Sequence, residues 1–289
     1  MEDADAALLS AVDALYEGDA AKALHDVRGD PAASADTGAA ALVYGEVTSL
    51  ERLFTSLELS ANDLLVDIGS GRGQVVIAAS MRGVGLAPSK AVGIELVEAR
   101  HLVACAARDR IPRSGSSSCM IVLVHGDALS FDLTSATKIF VCNPTFGGEL
   151  NSRLARAFAP ALAPNLRHVA TLAQFSQDDL IAGGLELRRV SVVATTWASH
   201  GCPLFVYGRT GGLRAGGGDN GDHREAATVV DEEAVSQMLS ARRRADQQAM
   251  EAAKRLAAGE AEAGNAPTQG EAERGSLRTA LIAAAMHGL

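Results

Sequence analysis

With 289 residues, 47% of them apolar, the chain can bury a sizeable core and has room for one large domain with extensions or two small ones. The net charge of -9 is uneven: residues 1–60 carry 3 Lys/Arg against 12 Asp/Glu, residues 61–210 carry 14 against 11, and residues 211–289 carry 9 against 12. Nothing here makes the whole chain adhere to nucleic acid, which needs clustered cations, so any weak DNA contact is expected from a local basic patch. No apolar run reaches the roughly 18–20 residues that span a bilayer, and the acidic start Met1-Glu2-Asp3-Ala4-Asp5 lacks the features of a secretory signal. Cys105, Cys119, Cys142 and Cys202 have no C-x-x-C spacing, which argues against a metal site or a disulfide scaffold and for an intracellular chain with reduced thiols and no membrane partner.

In chain order, Leu8, Val12, Leu15, Ala21, Leu24 and Val27 predict a helix over 3–29, broken at Gly29-Asp30-Pro31. A loop follows over 32–43, then a second helix marked by Leu50, Leu53, Phe54 and Leu57. From residue 64 strands and helices alternate. Strands are predicted at 64–68, 91–95, 120–124, 138–142 and 168–172, and helices after the glycine turn (75–79), over 97–109 and near 149–159. That alternation implies right-handed crossovers and a parallel sheet. Glu186 to Trp197 and Pro203 to Arg209 predict an antiparallel edge hairpin. The expectation is an α/β, Rossmann-like class I methyltransferase sheet of seven mostly parallel strands with a small helical N-terminal region. Its divisions are a helical region at 1–60 with a closing loop at 42–48, a main domain at 61–210, a glycine-rich linker at 211–230, and a helical or disordered tail at 231–289.

The chemistry concentrates behind the first strand, in Asp67-Ile68-Gly69-Ser70-Gly71-Arg72-Gly73-Gln74. Glycines let a backbone turn tightly and approach a ligand, and the following helix presents unpaired N–H groups. The G-x-G-x-x-G spacing of dinucleotide sites is absent, and an acid beside the loop repels phosphate. Asp67 therefore points to a cationic, phosphate-free cofactor, S-adenosylmethionine, with Asp67 toward its amine. Glu95, at the end of the second strand, suits ribose hydroxyls, and Asp127, after the third, suits an adenine amino group. Read singly, Glu95 is equally a surface acid and Asp127 a helix cap. After the fourth strand, Cys142-Asn143-Pro144-Thr145-Phe146-Gly147 faces the acceptor. Asn143-Pro144 resembles the motif of methyltransferases acting on adenine or glutamine amino groups.

Val43-Tyr44-Gly45-Glu46, then Asp67 to Val76, then Ile139-Phe140-Val141 leading into Asn143 and Phe146-Gly147 together resemble the disruptor-of-telomeric-silencing family, histone H3 lysine methyltransferases that lack a SET domain. The resemblance covers roughly 42–208 and is to a compact, kinetoplastid-like member. It implies a nuclear enzyme acting on histone H3 at the globular face of the nucleosome. It implies that Tyr44, Gly45 and Glu46 close over the methionine end of the cofactor, that Asp67, Gly69, Gly71, Gln74, Glu95, Asp127 and Asn143 line its site, and that Asn143, Phe146, Trp197 and Tyr207 border the lysine channel. Sheet packing is an equal reading of Trp197 and Tyr207. Cys142 stands where the family has the first of two asparagines, which leaves open a binding protein without catalysis. Arg242-Arg243-Arg244 is a faint echo of the family's basic extension.

Overall fold

The computed structural model describes residues 2–16, 45–112, 119–198, 200–210 and 229–230, with 233, 235–237, 240 and 244 beyond them. Tyr44, the rest of the expected first helix, the loop at 32–43, most of the linker and most of the tail lie outside the described residues. The chain divides into two units, Met1–Asp231 and Glu232–Leu289. In the second, the six described positions are helical, and Gln237 Nε2 donates to Glu233 Oε1 at 3.1 Å, one turn away.

The first unit begins with helix α1 (Glu2–Asp13) and a 3-10 turn, Ala14–Tyr16, followed after the loop at 45–49 by α2 (Leu50–Ser56). Then come β1 (Leu64–Ile68), α3 (Gln74–Met81), β2 (Lys90–Glu95), α4 (Glu98–Asp109), β3 (Met120–His125), β4 (Lys138–Val141), α5 (Gly148–Ala157), β5 (His168–Thr171), α6 (Gln177–Gly183), β6 (Leu185–Val193) and β7 (Cys202–Arg209). The sheet order is β3-β2-β1-β4-β5-β7-β6, and a two-residue β8, Val229–Val230, pairs with the outer edge of β6. β1 to β5 are parallel, and β7 runs antiparallel between β5 and β6. That order, with its reversed seventh strand, is the class I methyltransferase sheet expected from the alternation of elements.

Helices cover both faces, so the central strands are mostly apolar rather than alternating with polar residues. Successive side chains still divide between two cores. Leu65, Phe140, Ala170 and Val206 pack beneath α1, α2 and α3 with Val12, Leu50, Phe54 and Ile77. Val66, Ile139, Val141, Val169 and Tyr207 pack on the other face with Leu154, Phe158, Phe175 and Leu180.

Three elements differ from expectation, the first being β8, which adds an eighth strand within the stretch read as a linker. Helix α6 had not been anticipated, although its start is written in the sequence: Ser176 Oγ accepts from the Asp179 N–H at 3.2 Å and the Asp179 carboxylate accepts from the Ser176 N–H at 3.3 Å, a reciprocal capping box. Strand β6 ends at Val193 instead of Trp197, because residues 194–196 leave the sheet to bond with the loop at 46–49.

Candidate functional site

The site lies at the carboxyl ends of β1, β2 and β4, where parallel strands open a crevice. Strand β1 delivers Asp67, flanked by Gly93 and Phe140 on its neighbours, into full burial. Burial first, and then the nearby charge of Glu95, pushes the Asp67 carboxyl up to about 8. A carboxylate held this way in a dry site calls for a cation.

The chain then turns through Gly69, Gly71 and Gly73, all with positive φ. At Gly73 two requirements coincide: φ is +81°, and an added Cβ would meet the Ala104 methyl at 3.0 Å, so only glycine lets α3 start this close to α4. The N–H groups of Gly69 and Ser70 both donate to the Ile94 carbonyl, at 2.9 and 3.0 Å. Glu95 fastens the same turn: its Oε2 accepts from the Gly71 N–H at 2.7 Å and its Oε1 from the Val97 N–H at 2.9 Å. A carboxylate has about four acceptor positions, so Glu95 anchors the loop and retains capacity for hydroxyl donors. Asp127 uses one oxygen to cap a 3-10 turn, accepting from the Leu129 N–H at 2.9 Å. The capping reading of this residue is thus realised.

Gln74, the first residue of α3, is buried, and its Oε1 has no hydrogen-bond partner among the described residues. A buried acceptor without a donor costs on the order of 1–3 kcal/mol, and at the start of α3 it marks where a donor belongs. The ammonium of an amino-acid-bearing cofactor fits both groups. Its adenosine end has Glu95 and Asp127 at the neighbouring strand ends.

On the acceptor side, Phe146 lies against the glycine turn: a Cβ on Gly69 would stand 3.3 Å from Phe146 Cζ. Trp197, 41% exposed, covers Gly45 so closely that a Cβ there would sit 2.2 Å from Trp197 Cε3. The two segments are sewn together. Thr196 N–H donates to the Glu46 carbonyl at 2.9 Å, Thr48 N–H to the Ala194 carbonyl at 2.8 Å, and Glu46 N–H to Thr196 Oγ1 at 3.0 Å. Cys142, at the end of β4, has its thiol pushed up to about 12 by burial and then by Asp67, so it stays protonated at neutral pH.

Asn143 and Tyr207 occupy different surroundings from those implied by the resemblance. Asn143 is fully buried with its amide committed inside the chain: Nδ2 donates to Asn151 Oδ1 at 2.8 Å and to the Ala173 carbonyl at 3.1 Å, and Oδ1 accepts from Leu172 and Ala173 N–H at 3.0 and 2.8 Å. Tyr207 packs in the core with its ring 5.5 Å from that of Phe175, and its hydroxyl accepts from the Phe175 N–H at 3.1 Å. Both hold the loops behind β4 and β5 in place. Sequence reasoning passed over Arg72, which grips Glu46, and no short motif signals that contact.

A family model described as histone methylation protein DOT1 matches residues 36–167, the stretch that holds the glycine turn, Glu95, Asp127, Asn143 and Phe146. Over that stretch the chain is similar to the DOT1 family. The likeness is to an S-adenosylmethionine-dependent methyltransferase domain of the histone-methylating class. No curated protein matches it. Among solved structures it is similar to TrmN from Thermus thermophilus (20% identity over 56% of this chain and 48% of that one, TM-score 0.43). It is also similar to TrmK from M. capricolum with S-adenosyl-homocysteine (11%, 80% and 94%, 0.44) and to an RNA methyltransferase from Salinibacter ruber (20%, 60% and 95%, 0.39). The chain spans about half the length of the Thermus protein.

Proposed function

We propose that this domain is of the DOT1 family, methylates a lysine of histone H3 on the globular face of the nucleosome, and hence works in the nucleus. The observation that carries the choice of acceptor is the state of Asn143. An enzyme directed at adenine or glutamine uses an Asn-Pro amide to orient the acceptor amine, but here both donors and the carbonyl oxygen of Asn143 are bonded within the chain. Phe146 and Trp197 remain beside the site, apolar walls that suit the alkyl stem of a lysine.

When bound, the cofactor supplies an electrophilic methyl on a sulfonium. We assign Asp67 and Gln74 to its ammonium, Glu95 to its ribose, Asp127 to its adenine, and Glu46, with Tyr44 before it, to the closing loop. A free lysine has a pKa near about 10.4 and is not nucleophilic at neutral pH. Apolar rings at the channel mouth exclude water and lower that value, favouring the neutral amine. Holding amine and sulfonium in line supplies much of the remaining acceleration. The protonated Cys142 thiol does not compete for the methyl group, since the thiolate is the reactive form.

The test is incubation with methyl-labelled S-adenosylmethionine and, in parallel, nucleosomes, free histones and free nucleic acid, followed by mass spectrometry of the histones. Methyl on an H3 lysine in nucleosomes is the expected result. Label in nucleic acid alone would refute the acceptor, and cofactor binding without any methyl transfer would leave only a binding protein.

A further inference from the structure

Arg72 stands between two positive-φ glycines at the centre of the cofactor loop. Its Nε and Nη2 engage both carboxylate oxygens of Glu46, with Nη2 to Oε2 at 2.6 Å. Nη2 also reaches Asp13 Oδ1 at 3.1 Å, and the guanidinium lies over the Tyr16 ring, 4.1 Å from its centroid. The Tyr16 hydroxyl in turn donates to the Arg72 carbonyl at 2.8 Å, so side chain and main chain of this one loop residue are both held by the N-terminal segment.

Exposure ranks these contacts. Arg72 and Glu46 are 13% and 11% exposed and joined fork to fork, whereas Asp13 is 50% exposed. The first pair is therefore the strong one and the second adds little. Glu46 also accepts from Gln74 Nε2 at 3.4 Å, the amide whose Oε1 is buried without a partner. The chain of contacts thus runs from the N-terminal turn through Arg72 and Glu46 to an unmatched acceptor in the cofactor site.

We propose that Arg72 is a positioning residue for the cofactor: by gripping Glu46 and stacking on Tyr16, it makes the N-terminal segment part of the element that closes the site and fixes the Gln74 amide. The proposal rests on the assignment of Glu46 and Gln74 to cofactor binding.

The experiment uses the full chain and measures the Kd of S-adenosylmethionine and S-adenosylhomocysteine by calorimetry for Arg72→Ala, Arg72→Lys, Tyr16→Phe, Glu46→Gln, Asp67→Asn and the Arg72→Ala/Glu46→Gln pair. Arg72→Ala is expected to weaken binding about tenfold, within the usual range of site-to-site coupling. Arg72→Lys is expected to restore only part of it, since an ammonium cannot reproduce the fork. The double variant should bind no more weakly than the weaker single one, and the cofactor KM should rise while kcat at saturation changes little. An arginine that only stabilised the fold would lower the melting temperature and leave the Kd of the folded protein alone. Unchanged Kd in Arg72→Ala beside a weakened Glu46→Gln, or additive losses in the pair, would overturn the proposal. If the alanine variant does not fold, Arg72→Lys and Tyr16→Phe carry the same comparison. If neither Glu46→Gln nor Asp67→Asn affects binding, the assignment of the cofactor residues has failed first, and the role of Arg72 goes with it.

Discussion

At the scale of single residues, Asp67 makes the sharpest statement about the site. Its carboxyl is shifted up to about 8 by burial and by Glu95, from an ordinary value of 3.8, so the ligand-free protein holds it protonated at neutral pH. Pairing with an ammonium requires the carboxylate, and binding must therefore release a proton. Apparent cofactor affinity is expected to rise by up to about tenfold per pH unit from about pH 6 toward 8, and then to flatten as the ligand's own amine titrates near about 7.7–8.0. Calorimetry in two buffers of different ionisation enthalpy reads the released proton directly, and a pH-independent Kd with no proton release contradicts the assignment. The same shift has a stability consequence of definite sign. The unfolded chain ionises Asp67 near 3.8 and the folded one near 8, so the stability conferred by the protonated form is complete below the first value and is lost as pH climbs through the second. Ligand-free Asp67→Asn is accordingly expected to melt above wild type at alkaline pH, with the gap closing toward pH 4, while binding cofactor more weakly at every pH.

Between elements, the decisive contact is the zipper that joins the loop at 45–49 to the segment behind β6, with Trp197 lying on Gly45. Since Trp197 is the one tryptophan of the chain, its fluorescence reports this contact without interference. Gly45→Ala places a methyl where the indole now stands, and the ring must swing outward. A red-shifted emission is expected, with a larger fall in methyl transfer to histone than in cofactor affinity; unchanged emission would show that the ring does not rest there in solution. This contact also marks the limit of what the chain discloses as a linear text. The strands β1 to β5 were legible within about a residue because each is a short apolar run closed by a turn. The cofactor loop was legible because its glycines and Asp67 are contiguous. The early end of β6 was not, since residues 194–197 read as strand by composition and leave the sheet only because the loop at 46–49 offers them partners some 150 positions away in sequence. The committed amide of Asn143 was hidden for the same reason: three of its four partners lie on the segment that follows β5. Arg72 was hidden by its position among glycines that carried the motif themselves.

For the molecule as a whole, charge governs how the proposed enzyme would meet chromatin. A chain of net charge -9, with 12 acids against 3 bases in its first 60 residues, is repelled by DNA at long range and gains little from releasing counterions. On the proposed function, its hold on a nucleosome must come from the histone surface, with a minor electrostatic share from local cations such as Arg242-Arg243-Arg244. Each phosphate contact lowers the slope of log affinity against log salt by about 0.9, so three arginines account for a slope of at most about -3. Nucleosome binding measured across a salt series is therefore expected to show a shallow dependence, and replacing the three arginines with alanine to flatten it further, leaving the Kd for S-adenosylmethionine unchanged. A slope several times steeper would require a broad basic surface, which the 26 Lys/Arg of this chain, outnumbered by 35 Asp/Glu, give no reason to expect. In that event the protein would be held by the DNA rather than by the histone proposed as its substrate.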